Sequence, residues 1–309
     1  MQGHVEIAYI GLQSPEPAAV ARYFTEVVGL MPGLPLADGS PTFRDDHKAH
    51  RVWVQQGAGK DATCLGFEAS DAAAWQQAID RLRSLGHEAT QGSAQDLAAR
   101  RVQALARVRA PWGVDVEIVQ GLADADTPFA SPHYPHGFVT AGQGFGHAVF
   151  AMSADVYEAA RRFCIDGLGM GLSDWLRMPL SPPAPPGLEM HVSFLHCNPR
   201  HHSLALACVP GPMPPQVLHH INFEVASVEA VGQAHERALQ TKTPLANTIG
   251  QHDNDGMVSF YSISPDGWRV EIGATGRQVG PDWNDVREYD RISRWGHQPP
   301  EALVGLLSS

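Results

Sequence analysis

The sequence predicts an α+β fold of four tandem βαβββ modules, paired into two barrel-like domains with the helices outside. Two observations carry that expectation. Three motifs recur in the same order in both halves. They are a strand-like opening (Glu6 to Gln13, Phe145 to Met152), an F-E run (Phe67-Glu68, Phe223-Glu224) and a V-E-I closing (Val116 to Ile118, Val270 to Ile272). Glu117 follows Glu68 by 49 residues and Glu271 follows Glu224 by 47, a spacing too regular for chance. The second observation is that each half spells strand, helix and further strands twice over.

Each element has its own signal. Glu6 to Gln13 reads as a strand, and Ser14-Pro15 as the N-cap and first turn of a helix. Val20, Phe24 and Val27 then recur at helical spacing up to Gly29. Ala62 to Ala69 reads as a strand leading into a helix that ends at Gly86, and Pro111 to Val119 finishes the half. Thr127 to Gly137, rich in Pro and turn formers, marks the boundary. The second half opens with Phe145 to Met152 and continues with a helix carrying Val156, Ala160 and Phe163. It closes through I-N-F-E-V and P-D-G-W-R-V-E-I. Ser181 to Gly187 (S-P-P-A-P-P-G) reads as an exposed loop between strands. The C-terminal stretch reads as a tail packing through Ile292 and Trp295.

Composition narrows the class. A chain of 309 residues suits two domains, and 43% apolar with 18% charged residues is ordinary for a packed core. A net charge of −11 argues against nucleic acid, whose phosphates call for a basic surface. No run approaches the roughly 18 apolar residues of a membrane span, and the start lacks a signal-peptide pattern. The four cysteines show no C-x-x-C spacing and read as reduced, buried thiols, pointing to the cytoplasm.

Histidine is the outlier, with sixteen residues crowded towards the C-terminal half. Between His201 and Glu271, histidines, a tyrosine and a carboxylate interrupt strands that are otherwise apolar. Such groups cost free energy in a core unless something binds them, and a metal is the simplest partner. Aligning the halves sets Ala8 against His147, Cys64 against His220 and Glu117 against Glu271. The first half therefore keeps one potential ligand and lacks two. Two histidines and one carboxylate form the ligand set of non-haem Fe(II) oxygenases, with three positions left open. Strand alternation puts His220 with Asn222 and Glu224, and His219 with Ile221 and Phe223. It does not say which of these faces holds the metal.

F-L-H-C-N-P-R-H-H-S-L-A, H-H-I-N-F-E-V, H-D-N-D-G-M-V-S-F-Y and the V-E-I-G end resemble the type I extradiol catechol dioxygenases. These belong to the vicinal oxygen chelate superfamily, and the 2,3-dihydroxybiphenyl 1,2-dioxygenase group matches best. The likeness runs from the first strand to R-W-G-H at Arg294 to His297; the Pro-rich piece near Ser181 departs from it. The resemblance implies metal ligands at His147, His220 and Glu271, and so decides for His220 over His219. It implies an acid/base histidine at His202 and a substrate-contacting pair, His252 and Tyr261. It further implies Fe(II), or Mn(II) in its place, a catechol and O2 as substrates, meta cleavage, and a symmetric homo-oligomer. The expected organisation is a metal-free domain over 1–132, a catalytic domain over 133–290 and a tail over 291–309. The expected catechol is bicyclic; monocyclic, naphthalenic and steroid-derived catechols are the alternatives. A non-oxidative metal enzyme of the same superfamily, or an aromatic-binding module, is the rival reading.

The other polar residues have plainer readings. Asn254 and Asp255 either line the substrate pocket or form the turn. His219 reads as packed core or support for a ligand, and His201 as surface or support. His191 and His196 read as structural. His4, His87, His133, His136 and His235 read as solvated, and His47 and His50 receive no role. Glu117 reads as a remnant of duplication held by water or an arginine.

Overall fold

The computed structural model describes residues 5–179, 187–211 and 213–300. Two sheets follow the repeated plan. The first module comprises β1 (Val5–Ser14), α1 (Pro17–Arg22), β2 (Met31–Pro32), β3 (Thr42–Arg44) and β4 (Val52–Gln56). The second comprises β5 (Ala62–Ala69), α2 (Ala72–Ser84), β6 (Ala89–Gln91), α3 (Ala94–Arg100), β7 (Ala104–Arg109) and β8 (Asp115–Gln120). The third is β9 (His147–Met152), α4 (Ala154–Arg162), β10 (Gly171–Pro179), β11 (Glu189–His196) and β12 (Leu204–Cys208). The fourth is β13 (Leu218–Glu224), α5 (Val228–Gln240), β14 (Leu245–His252), β15 (Val258–Ile263) and β16 (Arg269–Ala274). Two short strands, β17 (Glu288–Tyr289) and β18 (Ser293–Trp295), complete the described chain.

The first sheet runs β2-β3-β4-β1-β5-β8-β7-β6, and the second β17-β10-β11-β12-β9-β13-β16-β15-β14-β18. In each, two modules join through their opening strands, β1 with β5 and β9 with β13, both antiparallel. All of the Ser181–Gly187 stretch except Gly187 lies outside the described residues.

Local signals explain most boundaries. Asp71 and Ser227 cap α2 and α5 through their side chains, and Gly86 closes the α2 turn at φ +88°. The first helix starts later than the sequence suggests. Ser14 ends β1, its hydroxyl accepting from the Glu16 amide, and Pro17 occupies the first helical turn. Both α1 and α4 widen into a π-helical turn, Tyr23–Val28 and Phe163–Gly167, a second mark of duplication. Helix α3 was not anticipated, although Ser93 and Asp96 make a capping box at its start.

The helices lie outside the barrels but not at the molecule's outer surface. Arg81 of α2 donates from Nε to the Gly167 carbonyl at 3.0 Å, and Arg237 of α5 donates to the Val27 carbonyl at 2.9 Å. Each half's second helix thus grips the other half's π-turn. Trp112 against Phe163 and Trp268 against Phe24 repeat the pairing with aromatic rings. One continuous apolar core, from Val5 to Ala274, runs between the barrels.

The interior of the first barrel is plugged. Tyr9 and Trp53 fill it, their rings 5.0 Å apart, with buried His50 edge-on to Trp53. A bulge in β1 places Tyr9, not Ala8, opposite Gly66 on the ladder, as His147 stands opposite Asn222 in the second sheet. Glu117, 1% exposed, accepts from Tyr9 Oη at 2.8 Å, from Arg100 Nε at 3.0 Å and from an Arg107 terminal nitrogen at 2.7 Å. Burial opposes its ionisation, but the two guanidinium groups and the phenol hold its carboxyl below the usual range. Replacing Glu117 by Ala leaves Arg100 without its acid and Arg107 with only the more exposed Asp96, and should cost about 3 kcal/mol of stability at neutral pH. The folded pKa is depressed, so this contribution is present above the unfolded carboxyl value of about 4.3 and lost as pH falls through the lower folded value. Denaturation of both proteins at pH 7 and pH 3 checks it, the gap shrinking in acid.

Candidate metal centre and active site

Three neighbouring strands of the second sheet carry the ligand candidates: His147 on β9, His220 on β13 and Glu271 on β16. Gly146, at φ +152°, lets β9 approach; a Cβ there would stand 1.9 Å from the Asn222 carbonyl oxygen. His147 Nε2 lies 3.1 Å from His220 Nε2 and 3.1 Å from Glu271 Oε2, and His220 Nε2 lies 3.5 Å from that oxygen. All three residues are buried. Ligands bonded at about 2.1 Å and at right angles would stand about 3 Å apart, so these edges fit one octahedral face. Two facing imidazole nitrogens and a carboxylate offer lone pairs to a common point. A cation there would satisfy all three, whereas an unpaired buried carboxylate is costly. The donor set therefore fits a metal ion.

His252, closing β14, and Tyr261, on β15 opposite Glu271, stand beside this group. Between His252 Nε2 and the Tyr261 hydroxyl the separation is 2.8 Å, and from His252 Nε2 to Glu271 Oε1 it is 3.1 Å. Burial disfavours charge on His252, but the bond to Glu271 and its charge raise the imidazole to about 9. Burial and Glu271 push the Tyr261 phenol well above its ordinary value, so it keeps its proton. Burial also works against the Glu271 charge, but bonds from His147, His220 and His252 hold that carboxyl well below its usual range.

His202 lies in the loop between β11 and β12, buried, its ring centroid 4.0 Å from that of His147. Burial, then the neighbouring His147 and His201, keep it well below the usual imidazole value, hence neutral. His201 is neither surface nor idle. Its Nε2 lies 3.0 Å from Asp174 Oδ2, and its Nδ1 lies 3.2 Å from His202 Nδ1. Asp174 can only accept, so His201 carries its proton on Nε2 and accepts at Nδ1 from the His202 Nδ1–H. The bare nitrogen of His202 is then Nε2. A bulge at Ser173 in β10 turns Asp174 inward to make this contact. Replacing Asp174 by Asn removes the obligate acceptor and should lower kcat about 10- to 100-fold, measured by steady-state rates on a catechol.

The alternation reading of His219 is corrected by a bulge. The β13–β9 ladder slips between Leu218 and His220, so both histidines turn into the barrel. Their Nδ1 atoms are 2.7 Å apart, and His219 Nε2 accepts from Arg269. His219 therefore supports a ligand candidate and is not packed core. Asn254 and Asp255 both line the cavity, and Asp255 Oδ1 accepts from the Met257 amide at 2.9 Å to shape the turn.

The tail reading is also corrected. Ile292 and Trp295 are 42% and 51% exposed, and the buried residue is His297. Its ring lies tilted beside that of His252, centroids 4.3 Å apart, and its Nε2 lies 3.1 Å from the Ser259 hydroxyl, which donates to Glu271 Oε1 at 2.6 Å. Asp174, Ser259 and His297 are contributors that sequence reasoning missed. Only R-W-G-H, with Gly296 at φ +69°, carried a visible signal. Among the plainer readings, His87 and His235 are half-buried against Phe163 and Phe260.

A cavity of about 280 Å³ opens beyond these groups. Val149, Leu176, Val192, Phe194 and Ala207 form an apolar wall; His219, Asn247 and Arg269 form the facing polar one.

A family model described as the Glyoxalase/Bleomycin resistance protein/Dioxygenase superfamily matches residues 144–272. The chain is 37% identical to the biphenyl-2,3-diol 1,2-dioxygenase of Metapseudomonas furukawaii, over 94% of this chain and 93% of that one. It is 35% identical to the iron-dependent extradiol dioxygenase of Rhodococcus jostii, over 94% and 96% respectively. The crystal structure of a halotolerant catechol dioxygenase superposes with a TM-score of 0.85 at 31% identity, covering 96% of this chain and 95% of that one.

Proposed function

The chain belongs to the extradiol dioxygenases of the vicinal oxygen chelate superfamily, and from this premise we propose that it opens a bicyclic catechol at a ferrous centre. The observation that carries the reading is the convergence of His147, His220 and Glu271 on one point beside a partly apolar cavity. In this reading those three residues hold Fe(II), in line with the Rhodococcus relative's iron dependence. Bound there, the ion would bring catechol and O2 together and would supply a one-electron route around their direct reaction, which their unlike spin states forbid.

The chain's own residues do the rest. Neutral His202, with Nε2 bare, takes a catechol hydroxyl proton and later returns one as acid. Tyr261 keeps its proton and, with His252, hydrogen-bonds the catecholic oxygen. Asp174 and His201 hold the tautomer of His202, and Ser259 with His297 hold Glu271 and His252. The apolar wall excludes water and receives the second ring, as biphenyl-2,3-diol would require.

The first half, expected over 1–132, serves in this reading as a metal-free partner of the catalytic half, consistent with its plugged barrel. A cytoplasmic location accords with four free thiols, and self-assembly with exposed Trp175 and Trp295. Among the described residues no helix is long and apolar enough to cross a membrane. Fe(II)-loaded protein mixed with 2,3-dihydroxybiphenyl in air should turn yellow as the dienoate forms. Colourless mixtures across a panel of bicyclic, monocyclic and naphthalenic catechols would overturn the reading. Mn(II) loading alongside identifies the metal.

A further inference from the structure

Arg269 begins β16, two residues before Glu271 and on the same barrel-facing side, about 7 Å nearer the mouth. On the ladder it stands beside His220, which in turn pairs with Val149. Arg269 therefore sits at the level where a substituent on the diol ring would extend from the metal point. It is half-buried, lines the cavity, and forms no ion pair among the described residues. Its hydrogen-bond partner is His219, which accepts from one terminal nitrogen. A guanidinium has five donors, so most of this one's face the cavity or water unmatched. Four other inward arginines find an acid: Arg51 grips Asp46, Arg100 and Arg107 grip Glu117, and Arg200 grips Glu224. Fully buried Arg44, which has none among the described residues, instead donates to the Thr127 and Pro128 carbonyls and the Thr127 hydroxyl, a set of acceptors that Arg269 lacks. Asn247 adds a neutral polar group on the same wall.

Resting on the catechol reading above, we propose that Arg269 is a subsite for a carboxylate carried on the substrate's ring substituent. A planar carboxylate pairs with the guanidinium fork through two parallel bonds. A catechol whose ring substituent packs against Val149 and Ala207 and ends in an acid is then preferred over its uncharged counterpart, because the carboxylate matches the guanidinium that a neutral substituent leaves unpaired.

The test compares, on the Fe(II)-loaded enzyme, a 3-(2-carboxyethyl)catechol with its uncharged 3-propyl counterpart. The native enzyme should favour the acid by at least tenfold in kcat/KM, about 1.4 kcal/mol, with the difference in KM. In R269Q the ratio should fall towards one, and R269K should retain part of it. Phenylpropanoate, which lacks the diol, should compete with the acid in the native enzyme and lose that competition in R269Q. Equal kcat/KM for acid and neutral catechol in the native enzyme overturns the subsite while leaving the dioxygenase reading intact. Preference retained in R269Q overturns it as well. Turnover of neither compound, nor of 2,3-dihydroxybiphenyl, is instead a failure of the catechol reading.

Discussion

Replacing His202 by phenylalanine is expected to lower kcat/KM for a catechol by about 10²- to 10⁴-fold, the range for removing a positioned proton-transfer group. Iron content should stay near that of the native protein. The ring packs 4.0 Å from His147 and 5.0 Å from Phe194, so a phenyl group fills nearly the same space. What disappears is the nitrogen pair: one donating to His201, the other free to take the catechol proton. Metal analysis beside steady-state kinetics separates the two effects. Unchanged turnover removes the role assigned to His202, and lost iron reassigns it to holding the metal.

Exchanging Glu271 for alanine should abolish stoichiometric iron binding. Glu271 supplies the one anionic oxygen facing both His147 and His220, and its second oxygen anchors His252 and Ser259. Removing it leaves two imidazoles, too few ligands to retain a labile dication against buffer. It also withdraws the charge that raises His252, so that histidine should become neutral at pH 7. Iron retained one-to-one after dialysis would mean that the ligand lies elsewhere. The folded state should persist, because the apolar core residues of these strands, such as Ala148, Ile221 and Ile272, pack on the face opposite the ligand side chains.

The repeat, the four modules and the ligand candidates were all legible because each leaves a local or periodic trace. Alternation marked the strands, Gly86 marked a helix end, and equal spacing marked duplication. Aligning the halves set His147, His220 and Glu271 apart, and the family likeness decided for His220 over His219 and singled out His202, His252 and Tyr261. Bulges left no such trace. At Ala8, Ser173 and His219 one extra residue reverses which side chains face inward. That reversal puts Tyr9 on Glu117, Asp174 on His201, and His219 beside its neighbour.

The amino-acid order therefore determined the class of fold, the kind of donor atoms and the chemistry they suit, since these follow from residue type and short-range period. Tertiary structure alone decided how the helices of one half clasp the other and how the first barrel is stoppered. It also decided which acids and arginines are matched: Asp174 with His201, Glu117 with two guanidinium groups, Arg269 with no carboxylate. Such pairings join residues tens of positions apart across strands whose register a bulge can shift by one. Burial turns those distant encounters into strong ones, because a charge removed from water must find its partner within the fold or in a ligand.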